Sequence, residues 1–143
     1  MEYKLVVSNF IKDELNNDDR YNSYRLTVPI KIFQYTLMDD DLEEFELNVN
    51  KKILLEDIIY KINEYINWLQ NCEQELTKYY EKQLDETINE NWVNELEIYN
   101  VSITFDALDD YGATISCGDN ILSDHILEFD FEKNEIIDVR MNG

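Results

Sequence analysis

The residues of this chain whose types and spacing suit chemistry are mainly carboxylates. The fifty residues from Gln83 to Glu132 contain thirteen Asp and Glu and not one Lys or Arg. Within this acidic block, Glu128, Asp130 and Glu132 alternate with apolar residues, so a strand places all three on one face, roughly 7 Å apart. Such a row destabilises a fold unless cations, or the Arg and Lys side chains of a partner, neutralise it. The pattern predicts a surface for a basic partner, and the alternative is a solvated outer face.

The predicted partner-binding residues all lie in the second half of the acidic block. They are Asp109, Asp110, Asp119, Asp124, Glu128, Asp130 and Glu132. A separate acidic run at 39–44 resembles a Ca²⁺-binding loop only superficially, because it lacks the Gly and the terminal bidentate Glu of an EF-hand. This acidic run could form at most a weak, non-specific cation site. We predict no specific metal and no cofactor.

Catalytic signatures are missing from the sequence. His125 is the single histidine, which excludes a multi-His metal site, and there is no HExxH and no glycine-rich phosphate motif. Cys117 and His125 form the one nucleophile–base pair to consider. Acids flank Cys117 and disfavour a reactive thiolate, so a structural cysteine is favoured. The pair Asp109-Asp110 is weak evidence for hydrolysis, since adjacent acids are common in so acidic a chain. We predict that the protein is not an enzyme.

Charge and composition narrow the classes of ligand. Thirty-two acidic residues face twelve basic ones, which gives a formal net charge of −20. Direct binding to nucleic acid or to an anionic membrane needs a surplus of Lys and Arg and is therefore disfavoured. Hydrophobic residues make up 44% of the chain, enough for one core, and 143 residues fit a single domain over 1–143. A basic protein or metal cations are the favoured partners; the alternative is that the acids only serve solubility.

The N-terminus and the two cysteines indicate the cellular compartment. The chain begins Met1-Glu2-Tyr3-Lys4 and continues without the long apolar segment of a signal peptide. No stretch approaches the ~20 apolar residues of a membrane-spanning helix. Cys72 and Cys117 are far apart in sequence and form no CxxC pair. These features predict a cytoplasmic protein with two reduced thiols.

The positions of the acidic residues depend on the fold. The sequence predicts an α+β fold in which strands are followed by a helical segment and then by further strands. Alternation in residues 25–32 predicts a strand, and Pro29 within it indicates a strand edge or a bulge, because Pro cannot donate a ladder hydrogen bond. Residues 4–11 form a second predicted strand. Residues 45–49 form a third, which we expect to pair with the strand that holds Pro29.

A helical period extends from about Lys52 to Asn91. One helix of that length is unusual in a small domain, so we expect two central helices or one long helix kinked near Asn71-Cys72. Asn50 is the candidate N-cap. After Trp92 the alternation returns and predicts a terminal β-meander. The expected fold is an antiparallel sheet, made of the N-terminal strands and this meander, packed against the helical segment.

Three short elements in the C-terminal two thirds resemble an uncharacterised bacterial α+β domain family. Asn91-Trp92 matches the end of that family's helical region, His125-Ile126 matches an element before its last strands, and Gly143 matches its final Gly. Asp124 departs from the pattern, because the family tends to have Gly there. The resemblance implies strands, an amphipathic helical region and a terminal β-meander, and it implies no known activity.

Small acidic single-domain proteins of this kind also resemble immunity proteins, which block the active site of a cognate, often basic, toxin. Size, charge and the missing catalytic motifs carry this resemblance. The resulting hypothesis is that the chain neutralises a bacterial toxin, for example a nuclease, by covering its basic active site. Two alternatives stay open: a housekeeping or regulatory protein-binding module, and a hydrolase in which Asp and Glu hold a divalent metal.

Overall fold

The computed structural model describes residues 2–33, 35–37, 44–85, 87, 92–118 and 126–142. This part of the chain confirms the predicted α+β class. The strands are β1 (Phe10–Lys12), β2 (Tyr21–Leu26), β3 (Ile30–Ile32), β4 (Tyr35–Leu37), β5 (Phe45–Asn50), β6 (Glu97–Ala107), β7 (Asp110–Gly118), β8 (Ile126–Glu132) and β9 (Glu135–Asn142). The helices are α1 (Leu55–Gln70) and α2 (Glu73–Leu84).

Seven of these strands form one sheet, in the order β1-β2-β5-β6-β7-β8-β9, and β3 pairs with β4 in a separate hairpin. The predicted C-terminal meander is confirmed as β6 to β9. The sheet is not wholly antiparallel, because β5 and β6 run parallel. The reason is the connection between them: the chain leaves β5, passes through α1 and α2, and returns in the same direction, as parallel neighbours require.

The strand predicted over residues 25–32 is divided in two. β2 ends at Leu26 and β3 begins at Ile30, with Pro29 in the break between them, where its missing N–H costs no ladder hydrogen bond. The predicted partner of β5 is therefore wrong. β5 pairs with β2, with Tyr24 opposite Leu47, whereas Ile30 belongs to the separate hairpin.

The predicted N-terminal strand is a β-strand only at its end, in β1. Upstream of it, the backbone is held by two side-chain amides of α1. Asn63 Oδ1 accepts the Leu5 N–H at 2.7 Å and Asn63 Nδ2 donates to the Leu5 carbonyl at 2.8 Å. Asn67 holds the Tyr3 N–H and carbonyl in the same way, at 2.6 and 3.0 Å. One helical turn apart, these two amides act as peptide groups do and take the place of a neighbouring strand.

The predicted break in the helical segment is confirmed, since α1 and α2 meet at Asn71 and Cys72. The predicted N-cap is wrong. α1 begins at Leu55, and the Asn50 side chain instead accepts the Lys52 N–H at 2.9 Å within the preceding turn. α2 ends earlier than predicted, because Asp85 adopts the left-handed conformation that terminates a helix.

The core lies on one face of the sheet, under α1, α2 and the β3–β4 hairpin. Helix α1 buries Ile58, Ile62 and Ile66 along one stripe. Tyr80 of α2 stacks on Trp92 with ring centroids 4.7 Å apart. Each fully buried side chain of this size contributes about 1.5–3 kcal/mol. Since strand side chains alternate, the same burial turns every second residue of β5 to β8 towards the other, open face.

At Gly112, β7 leaves no room for a side chain beside the backbone of β8, and this provides a test of the packing. A methyl group on Gly112 would lie 2.4 Å from the Phe131 carbonyl oxygen, a backbone atom that moves only if the strands separate. We expect Gly112→Ala to lower the free energy of unfolding by about 1–3 kcal/mol, measured by urea denaturation with circular dichroism.

Gly118→Ala, in the same strand, is the matched control. The atom nearest to its added methyl group is the Tyr99 hydroxyl oxygen, at 2.5 Å, on a side chain that is 41% exposed and can rotate away. We expect this variant to change the free energy of unfolding by less than about 1 kcal/mol. Equal losses in the two variants would contradict the close approach of β7 and β8.

Candidate functional site

The open face of the sheet is built from short polar side chains at its centre. The Ser23 hydroxyl donates to Asn48 Oδ1 at 2.6 Å, and Asn48 Nδ2 donates to the Ser102 hydroxyl at 3.5 Å. These contacts link β2, β5 and β6 across three neighbouring strands. Side chains this short, held to one another, leave a low and rigid surface on which a partner's longer side chains can rest.

A shallow depression of about 360 Å³ lies on this face, across β6, β7 and β8. Short residues form its floor, and these are Ser102, Thr104, Gly112 and Thr114. Four carboxylates stand around it, and these are Asp106, Asp110, Asp130 and Glu132. We call this feature the acidic depression. No Lys, Arg or His is among the described residues that line it, so its lining carries negative charge only.

The fold itself neutralises part of the acidic row on β8. Arg140 of β9 lies directly opposite Glu128 and forms ion pairs with Glu128 and, at 3.0 Å, with Asp130. The Thr114 hydroxyl also donates to Asp130 at 3.0 Å. The sequence predicted that neutralisation must come from cations or a partner, and for Glu128 and Asp130 that expectation is wrong. Arg140 lies outside the acidic block in sequence and reaches it only through the β8–β9 register.

Asp106 also has neighbours of its own. The Tyr21 hydroxyl donates a hydrogen bond to the Asp106 carboxylate, and this bond to the carboxylate raises the pKa of the Tyr21 phenol. Arg20 Nη2 lies 3.7 Å from the same carboxylate, but the Arg20 side chain is 73% exposed, so the pair is weak. Asp106 is thus fixed in position by Tyr21 and only partly neutralised.

Asp106 is the acidic residue of the depression that the sequence-based prediction missed. The signal for it was present, because Asp106 continues the alternation of Ser102 and Thr104 on the polar side of β6. The residues between them, Ile103 and Phe105, are fully buried. The predicted set included Asp109 and Asp110, where the chain turns from β6 into β7, and left out Asp106 near the end of β6.

Asp110 and Glu132 keep uncompensated charge. Both are exposed, and within the described part of the chain neither has an ion pair or a side-chain hydrogen bond. Asp110 begins β7, and Glu132 ends β8 directly opposite Gly112. The two carboxylates therefore lie on either side of Gly112, where the floor of the depression has no side chain.

The predicted site residues do not all lie in one place. The structure brings Asp110, Asp130 and Glu132 together around the depression, and Asp109 is exposed in the adjacent turn of the β6–β7 hairpin. Glu128 lies farther along β8, beside Arg140. Asp119 and Asp124 lie outside the described residues, as do His125 and most of the acidic run at 39–44.

Of the other groups considered for chemistry, the structure describes the two cysteines but not His125. Cys72 and Cys117 are both buried and are not joined in a disulfide, and burial raises the pKa of the Cys72 thiol. Within the described ranges, no three side chains of the His, Cys, Asp and Glu types are grouped to hold a metal ion. None of the helices described here is long and apolar enough to cross a membrane.

No model of a known protein family matches this chain, and comparisons with curated proteins and with solved structures find no similar protein. The resemblances to a bacterial domain family and to immunity proteins stay predictions. A function for this chain must therefore be inferred from the geometry of the open face.

The pair of contacts made by Arg140 leads to a test. We expect Arg140→Gln to lower the free energy of unfolding by about 0.5–1 kcal/mol at low ionic strength, because Glu128 and Asp130 lose their shared counter-charge while the contact is partly exposed. Salt screens this partly exposed contact, so the loss should shrink at about 1 M NaCl. Urea denaturation at both salt concentrations measures it.

Lys78→Gln is the control for Arg140→Gln. Lys78 is exposed on α2 and has no ion pair among the described residues, and the change removes the same charge from a chain of net charge −20. If Lys78→Gln costs as much as Arg140→Gln, overall repulsion explains both losses and the local ion pairs contribute nothing.

Proposed function

We propose that this protein is an acidic inhibitor that binds a basic partner through the open face of its sheet, as an immunity protein covers the basic active site of a bacterial toxin. The observation that carries the proposal is the acidic depression. Its four carboxylates surround a floor of short side chains, and two of them, Asp110 and Glu132, have no basic partner within the described residues. A toxin that acts on an anionic substrate, for example a nuclease, has the complementary Arg- and Lys-lined cleft.

The chemistry of the depression suits a guanidinium or ammonium group. Carboxylates at its rim can accept charge-assisted hydrogen bonds from several sides, and an Arg side chain presents five donors in a planar fork. The Ser102 and Thr104 hydroxyls on the floor offer further acceptors. These groups lie on paired strands, so little conformational freedom is lost when they bind.

The net charge of the whole chain also favours a basic protein as the partner. A net charge of −20 attracts a basic protein before contact and raises its association rate. The same field repels nucleic acid and other anions. An inhibitor of this kind needs no catalytic residue, because it acts by occupying the site that an anionic substrate would enter.

The proposal predicts that a basic toxin domain is encoded beside this chain's gene and that the association of the two proteins depends on charge. Asp110→Asn combined with Glu132→Gln should slow association about tenfold and reduce its salt dependence, since both changes remove uncompensated charge from the binding face. Stopped-flow mixing of the two purified proteins at low and high salt measures the rate, and the toxin's own activity assay measures inhibition.

Glu56→Gln combined with Glu75→Gln is the matched control. Both glutamates are exposed on the helices, on the other side of the sheet, and the change in net charge is the same. Equal slowing by the two double variants would mean that the acids act only as a diffuse coat. Binding without inhibition would favour the regulatory module instead. Absence of binding, or of any basic toxin gene beside this one, would contradict the inhibitor role.

A further inference from the structure

We propose that an apolar cleft beside the acidic depression binds one large apolar side chain of the basic partner. The partner's binding segment then carries an apolar anchor residue close in sequence to Arg or Lys. That this segment is basic rests on the proposed function. The apolar anchor goes beyond it and is inferred from a separate part of the surface, the apolar cleft.

The cleft has a volume of about 370 Å³ and lies between the β5–α1 turn and the tip of the β6–β7 hairpin. Its apolar lining residues are Ile53, Leu54, Ala107 and Leu108. Its polar lining residues are Asn50, Lys52, Asp57 and Asp106. Leu54 is 60% exposed and Leu108 is 46% exposed, so both leucines are open to a partner.

Both exposed leucines occupy positions where local structure favours a polar residue. Leu54 is the N-cap of α1 and makes no side-chain capping hydrogen bond; Ser, Thr, Asp or Asn there typically stabilises a helix by about 1 kcal/mol. Leu108 stands in the two-residue turn between β6 and β7, a place usually filled by Asn, Asp or Gly. Two such exceptions that meet in one cleft point to a role in binding.

Charge complementarity identifies the occupant. Asp106 lines both the cleft and the acidic depression, so the two features share a wall. Asp57 lines the cleft as well. Among the described residues that line it, these two carboxylates outnumber the single cation, Lys52. An apolar centre with a charged rim is the usual arrangement of an interface hot spot. The rim favours a basic segment, and a second copy of this chain is disfavoured because each copy carries a net charge of −20.

Short synthetic peptides and the full-length chain test the proposal. The first peptide carries Arg on both sides of a central Phe. In the second, Ser replaces Phe; in the third, Gln replaces both Arg. We expect the first peptide to bind about tenfold more tightly than the second, because the Phe ring is transferred from water into the apolar cleft. NMR titration should shift the methyl signals of Leu54 and Leu108 with the Phe peptide and leave them unchanged with the Ser peptide.

Variants of the cleft complete the test. Leu54→Ser and Leu108→Ser should each remove the advantage of the Phe peptide over the Ser peptide while preserving the circular dichroism spectrum, because neither side chain belongs to the buried core. Leu15→Ser is the matched control. Leu15 is 87% exposed, lies in the loop between β1 and β2 and is not among the residues that line the cleft, so this variant should leave the advantage intact.

The outcomes separate this inference from the proposed function. Equal binding of the Phe and Ser peptides, with shifts at Asp110 and Glu132 for both, would overturn the cleft and leave the acidic face intact. Binding of the Gln peptide as tight as that of the Arg–Phe peptide, without shifts at Asp110 and Glu132, would overturn the basic occupant and the proposed function together. No binding of any peptide would overturn both.

Discussion

One-sided burial of the sheet is the constraint on which the rest of this structure depends. Helices α1 and α2 and the β3–β4 hairpin cover one face, so alternate residues of β5 to β8 enter the core, among them Leu47, Ile103 and Phe129. Their sequence neighbours must then point the other way. The polar face is therefore a direct consequence of core packing, and an acid placed between two core residues of a strand is exposed by necessity.

The polar face therefore carries several carboxylates close together. Some of them are stabilised by an ion pair or a hydrogen bond within the fold. Arg140 neutralises Glu128 and Asp130 from the next strand, and Tyr21 holds Asp106 by a hydrogen bond. Asp110 and Glu132 receive no such partner among the described residues. This division distinguishes acids that belong to the fold's own packing from acids that are available to a partner, and the proposed inhibitor role uses the second kind.

The sequence predicted local features well and long-range ones poorly. Alternation around Phe129 and Phe131 correctly indicated β8, and the helical stripe through Ile62 correctly indicated α1. Pro29 was recognised as an interruption, but the separate hairpin that comes after it was not predicted. Asn63 could not be assigned a role from the sequence, because its contact with Leu5 joins residues 58 apart in sequence and depends on where α1 docks.

The sequence by itself determined the class of fold, the break between the helices, and the shared face of Glu128, Asp130 and Glu132. These features arise from periods of 2 and 3.6 residues, which are properties of short segments. Only the tertiary structure decided that β5 and β6 are parallel, that Arg140 meets the acidic row, and that Asp106 joins the depression and the apolar cleft. Contacts of this kind join strands distant in sequence, and their register is set by the packing of the whole core, which no local pattern encodes.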